Sequence, residues 1–193
     1  FSVRSAYRVH TEMCNRQLIR PRGESTDNSA WKKAVWSGIW RVNCPRKIHH
    51  FMWRFAHNSH PLHMNIERRG VQLDTWCAVC AHFFEDGGHF FFRCKHVKAI
   101  WREAGLEQQR CILMQASTPL EVLEKVLTMP EKDKLMIIYL LWRWWSERNR
   151  IRHGEHRLMP SSLVSQVSEM ITEWQHTNIS EHKPSARTKP SWK

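Results

Sequence analysis

The sequence predicts a mainly α-helical protein: a small helical domain with a Cys3His knuckle, followed by a helical connector. Three observations predict it. Ile48, Phe51, Met52 and Phe55 recur at i, i+3, i+4 and i+7, the spacing of one buried helix face. Residues 132–153 read as the longest helix, stopped by Gly154, and its middle from Ile137 to Trp142 is apolar on all sides. Cys77-x2-Cys80-x8-His89-x4-Cys94 gathers four metal-type ligands within eighteen residues.

The elements follow in order. Ser2 can cap a short helix through about Met13, with Val3 and Tyr7 inward. Residues 15–30 are rich in Pro, Gly, Ser, Asn, Thr and Asp and read as a polar loop. Trp31, Val35 and Ile39, with Trp36 and Trp40, then repeat at helical spacing up to about Val42. Pro45 suits the first turn of the helix that carries the Ile48 stripe. Pro61 opens another helix, with Leu62 and Ile66 inward and Gly70 as its C-cap.

Phe90, Phe91 and Phe92 are expected to pack around the metal. A helix from near Cys94 carries Val97, Ile100 and Trp101, and a loop follows over residues 105–118. Pro119–Thr128 reads as a helix with Leu120, Leu123 and Leu127 inward. The apolar helix at 132–153 is either central or shared with a partner. Ser161 or Ser162 caps a last helix, with Val164, Val167, Ile171 and Trp174 inward. The expected organisation is a zinc-binding domain at 1–104, a helical connector at 105–176 and a disordered basic tail at 177–193.

Zinc takes a near-tetrahedral set of thiolate and imidazole donors, and a structural site fills all four positions from the protein. Cys77, Cys80, His89 and Cys94 make such a set, so the expectation is one structural Zn2+ with no chemistry on the metal. A disulfide or a redox CxxC is the competing reading, and the redox case needs a βαβ context that this sequence lacks. His82 and His96 flank the pattern as substitute ligands. His49, His50, His57, His60 and His63 invite a second metal site, against the plainer reading of solvated or phosphate-facing rings.

Charge points to an anionic partner. The chain of 193 residues has 30 Lys and Arg against 18 Asp and Glu, a formal net charge of +12. Between residues 41 and 70 stand Arg41, Arg46, Lys47, Arg54, Arg68 and Arg69, with one acid, Glu67. Cations on phosphates give affinity and salt dependence without sequence information, so these six are the candidate RNA- or DNA-binding residues. Arg93, Lys95 and Lys98 add charge beside the knuckle, where they also suit a cluster of three thiolates and one Zn2+, net −1. Eleven tryptophans suit core packing more than base stacking.

No catalytic constellation is present: no paired-Asp polymerase motif, no spaced acidic quartet, no phosphate-cradling glycine loop. No apolar run is long enough to span a bilayer. Cys14, Cys44 and Cys111 read as free thiols, which places the chain inside the cell, in nucleus or cytoplasm. The chain begins at Phe1, as a fragment of a longer protein would.

The residues also resemble a known family. Phe1-Ser2-Val3-Arg4-Ser5-Ala6-Tyr7, Ile39-Trp40, Pro45-x-Lys47-Ile48, Phe51-x-Trp53-Arg54 and Asn65-Ile66-x-Arg68-Arg69-Gly70 occur in order. Cys77-x-x-Cys80, Glu85, His89-Phe90-Phe91, Cys94 and Ile100-Trp101 continue the series. Together they resemble the zinc-binding domain that follows the reverse transcriptase in plant LINE-type (non-LTR) retrotransposons. Gly87-Gly88 and Ala78-Val79 depart from the family's usual residues without touching a ligand. Trp142-x-x-Trp145-x-x-Arg148-Asn149 resembles the helical connector of the same elements, and Lys189-Pro190-Ser191-Trp192-Lys193 the lead-in to a ribonuclease H domain. The resemblance implies a non-catalytic module with polymerase upstream and ribonuclease H downstream, both outside this chain. It also leaves room for a protein-interaction scaffold that joins those two domains through the helix at 132–153.

Overall fold

The computed structural model describes residues 26–181. The helix expected near residues 2–13 and the end of the basic tail lie outside the described residues. The described residues are helical apart from the knuckle and its connections. The order is α1 (Thr26–Arg41), α2 (Arg46–Ala56), α3 (His63–Glu67), a π-helical turn (His89–Arg93), α4 (Lys95–Glu103), α5 (Glu107–Leu113), α6 (Pro119–Leu127), α7 (Glu131–Arg152) and α8 (Pro160–Glu181).

The strongest sequence signal holds. α2 buries Ile48, Phe51, Met52 and Phe55, and Pro45 sits at its N-cap with φ −57°. Proline fits there because its fixed φ suits the helix entry and its missing N–H has no partner to lose. α7 is central: Leu135, Ile137, Ile138, Tyr139, Leu140, Leu141 and Trp144 are all buried. It packs against α2, α6 and α8, which explains its all-round apolar middle. Gly154 then takes φ +85° and ends the helix. The core is continuous from Val35 to Val167, so it crosses residue 104 without a break.

Several local expectations are corrected. α1 begins at Thr26, not Trp31; Thr, Asp, Asn and Ser suit the start of a helix as well as a loop. α3 is one turn long and buries Asn65, not Ile66. The Asn65 amide donates to the carbonyls of Asn58 and His60 at 2.9 and 3.0 Å, so the polar residue ties the loop and turns inward. Gly70 does take φ +86°, and its N–H bonds the Glu67 carbonyl at 2.8 Å.

The segment expected as a loop at 105–118 contains α5, anchored by Leu106, Arg110 and Leu113. Buried Arg110 pairs with Glu107 at 2.7 Å and donates to the Phe92 carbonyl at 2.7 Å. α6 turns Val122, Leu123 and Val126 inward, while Leu120 and Leu127 are only half-buried. The face differs because α6 is covered by α1 and α2 as well as by its chain neighbours α5 and α7. α8 equals α7 in length at 22 residues and runs to Glu181, so residues 177–181 are helical and not tail. Ser161 and Ser162 lie inside its first turn, and Leu163 with Val167 makes its buried face.

Candidate metal centre

The knuckle is built from the backbone outward. Trp76 and Phe84 form an isolated antiparallel bridge. The Cys77 N–H donates to the Phe83 carbonyl at 2.7 Å, and the Glu85 N–H to the Thr75 carbonyl at 2.8 Å. Between them Ala81 N–H returns to the Cys77 carbonyl at 2.9 Å, with Ala81 itself at φ +53°. That turn brings Cys77 and Cys80 to one side.

His89 and Cys94 arrive on the other side through the π-helical turn. Their five-residue separation is the span of one π hydrogen bond. The Cys94 N–H donates to the His89 carbonyl at 2.8 Å. A turn this short leaves its own carbonyls without helical partners. Side chains from three elements supply them. Trp144 Nε1 donates to the Phe90 carbonyl at 2.9 Å, Trp101 Nε1 to the Phe91 carbonyl at 3.0 Å, and Arg110 Nη1 to the Phe92 carbonyl at 2.7 Å.

The four ligand atoms converge. The donors of Cys77, Cys80, His89 and Cys94 lie within 4.8 Å of one another, and all four residues are buried. Cys80 Sγ is 3.3 Å from His89 Nε2. Tetrahedral zinc at ordinary bond lengths sets its donors roughly 3.5–3.8 Å apart, so the set can hold a metal ion after small side-chain rotations. The cysteines are free thiols, with no disulfide between Cys77 and Cys80.

The electrostatics suit a cation. The thiol of Cys77 is pushed up by its hydrogen bond to Cys94 and by burial, while backbone N–H groups of Cys80 and Val79 work against the rise. Cys94, at the N-terminus of α4, is held down by that same bond from Cys77 and by the N–H groups of His96 and Val97. Burial lowers His89, which keeps its ring neutral and its lone pair free for a metal. Without a cation, neighbouring thiols share protons; a divalent ion lets all three ionise.

The flanking histidines stay out of this set. His82 Nδ1 meets the Cys80 carbonyl, and His96 Nδ1 meets Arg157. The upstream histidines are engaged as well. His49 Nε2 bonds the Val42 carbonyl at 2.9 Å, His60 Nε2 the Phe51 carbonyl at 3.1 Å, and His63 Nδ1 the Trp76 carbonyl at 2.7 Å. His57 stacks on Trp36 with centroids 4.7 Å apart. His60 is buried, not solvated.

The rings of the three phenylalanines pack onto the helices. Phe90 stacks on Trp144 at 5.6 Å, Phe91 meets Phe55 edge-on at 5.0 Å, and Phe92 packs on Trp101 at 5.9 Å. The ring against the ligand is Phe83, 5.3 Å from His89. Sequence reasoning also missed what Glu85 does. Its carboxylate accepts the N–H of His63 at 2.9 Å and is bound by Arg148 from α7.

The six candidate cations are all exposed. Arg41 ends α1; Arg46, Lys47 and Arg54 lie off the buried stripe of α2; Arg68 and Arg69 follow α3. At 100° per residue, Lys47 and Arg54 lie about 20° apart around α2, and Arg46 about 100° from Lys47. Among the described residues none of the six pairs with a carboxylate. Lys47 Nζ lies 4.7 Å from the centre of the Trp142 ring, and Arg69 donates to the Ser59 carbonyl at 3.2 Å.

Among the described residues, no helix is long and apolar enough to cross a membrane. Neither the curated proteins nor the solved structures contain a match to this chain. Residues 1–101, just over half of the chain, match the family described as zinc-binding in reverse transcriptase. The family match and the converging Cys3His set agree, and the chain belongs to the family of reverse-transcriptase zinc-binding domains.

Proposed function

We propose that this chain is a non-catalytic module that holds one structural zinc at Cys77, Cys80, His89 and Cys94 and contacts RNA or DNA beside a reverse transcriptase. Four protein donors complete a tetrahedral shell, so no position is left for substrate water. Zinc, when bound, fixes the knuckle against the π-helical turn. The residues around it already set the approach: the Trp76–Phe84 bridge holds the two knuckle cysteines, and Trp144, Trp101 and Arg110 hold the turn that carries His89 and Cys94.

The observation that carries the nucleic-acid reading is the set of exposed cations that have no carboxylate partner among the described residues: Arg41, Arg46, Lys47, Arg54, Arg68 and Arg69. Such groups attract phosphates in any sequence context. In this reading the zinc-binding domain and its helical connector lie between a polymerase and a ribonuclease H domain, in nucleus or cytoplasm. The scaffold alternative relied on the apolar helix at 132–153 being shared with a partner. α7 is instead enclosed by α2, α6 and α8, which removes its main support.

The test is charge reversal of Arg46, Lys47, Arg54, Arg68 and Arg69 in the zinc-loaded chain. Binding to RNA and DNA should be lost while zinc content and helicity stay. Retained affinity would contradict the reading.

A further inference from the structure

Three aromatic side chains stand exposed at the zinc end: Trp76 at 46%, Phe83 at 64% and Phe84 at 54%. Large apolar groups clustered in water mark a binding surface more often than isolated ones do. These rings are held by the knuckle itself. Trp76 and Phe84 stack across the bridge, 5.2 Å apart with planes at 21°. Phe83 leans on the ligand His89 at 5.3 Å. A rigid ring loses little freedom when a ligand covers it.

Charge selects the occupant. Arg93 and Lys98 lie near enough to His89 to act on its ring, where Asp86 and Glu85 oppose them, and Arg157, Lys95 and His82 act on His96. Of the acids beside the knuckle, Glu85 is neutralised by Arg148, and Asp74 and Asp86 each hold a backbone donor, the N–H of Trp76 at 3.0 Å and that of His89 at 2.6 Å. An apolar peptide would not need these cations, and an acidic peptide would not need bare ring faces. A duplex offers phosphates but hides the faces of its bases. A single strand offers both.

We infer that Trp76, Phe83 and Phe84 form a stacking platform for unpaired bases of a single-stranded nucleic acid, with its phosphates on Arg93, Lys95 and Lys98. The inference rests on the nucleic-acid reading above and adds the strand state and the place.

The test uses the zinc-loaded chain with a labelled oligouridylate and a blunt duplex of equal length, read by fluorescence anisotropy. Trp76→Ala and Phe84→Ala should each weaken single-strand binding about tenfold. Duplex affinity and the salt slope should stay within about twofold of wild type, because base stacking adds no phosphate contact. Trp76→Phe and Phe84→Tyr should restore most of the loss. The cobalt-substituted spectrum of each variant reports whether the knuckle is intact. If an alanine variant loses that spectrum, Phe84→Leu, which keeps apolar bulk without a ring, decides by the same criterion. Variants that bind oligouridylate like wild type overturn the platform alone, as does an equal loss on duplex. A wild-type chain that binds neither probe overturns the nucleic-acid reading and the platform together.

Discussion

Glu85 and Arg148, 63 residues apart in sequence, form a two-point ion pair with both side chains buried. Arg148 Nε lies 3.0 Å from Glu85 Oε1 and Nη2 lies 2.5 Å from Oε2. The pair ties the knuckle to α7. Glu85 also accepts the N–H of His63, and Arg148 lies over the Trp145 ring at 5.2 Å. Such a pair need not add stability over an apolar substitute, but removing one partner strands a buried charge. Arg148→Met should therefore destabilise the zinc-loaded chain by about 3–5 kcal/mol in urea unfolding. Adding Glu85→Gln should recover part of that loss. A double variant that loses the sum of the two single losses would show that the residues are not coupled.

Trp144 gives a second test of how the metal turn is braced. Trp144→Phe keeps a ring against Phe90 and removes the donor to the Phe90 carbonyl. A buried carbonyl left without a partner costs about 1–3 kcal/mol. Stability at saturating zinc should fall by that amount, and zinc should exchange faster into a chelator. An unchanged exchange rate would mean that the bond does not position His89 and Cys94.

His60 sets a pH dependence. Burial pushes its pKa down to about 4, and the charges of Arg54 and Arg148 push the same way, against the bond to Phe51. The neutral ring carries its proton on Nε2 to donate to Phe51, and its Nδ1 is buried without a partner. As pH falls from about 6.5, the unfolded chain gains a proton that the folded chain refuses until about pH 4, so stability present above pH 6.5 is lost through that window. Between pH 7 and pH 5 this group alone should remove about 2 kcal/mol. His60→Leu at saturating zinc should lose about that much less than wild type over the same interval. Parallel stability curves for the two proteins would contradict the assignment.

The exposed cations predict a measurable slope. On duplex DNA each phosphate contact contributes about −0.9 to the slope of log K against log salt, and on single strands about −0.7. Arg46→Ala and Arg54→Ala should each flatten the slope by about one such unit, with similar effects on unrelated sequences. Slopes equal to wild type would remove these residues from the contact surface.

The parts legible in sequence were those set by local spacing. Ile48, Phe51, Met52 and Phe55 announce their face because one helix turn relates them. The four metal ligands announce themselves because few other constraints place Cys, Cys, His and Cys at those intervals. What stayed hidden depends on what packs from outside. Phe90, Phe91 and Phe92 are three consecutive buried residues on a π-helical turn, and nothing local says that α2, α4 and α7 supply their ring neighbours. The inward face of α6 shifts to Val122 and Val126 because several helices cover it. Glu85 and Arg148 each stood within a family pattern, but their pairing spans 63 residues and leaves no periodic trace. Trp76, Phe83 and Phe84 carry no periodic signal, and their exposure comes from the turn of the knuckle.

The measurement that tests the central claim most directly is metal stoichiometry with a spectroscopic report of the ligands. The purified chain should bind one zinc and release about three protons on uptake near neutral pH, as three thiols ionise. Cobalt in its place should show thiolate charge-transfer bands and tetrahedral absorption, both weakened or lost in Cys77→Ser and Cys94→Ser. Cys44→Ser and Cys111→Ser should leave them unchanged. A chain that takes up no zinc, or one that keeps it at full affinity after Cys77, Cys80, His89 and Cys94 are all replaced, would contradict the account.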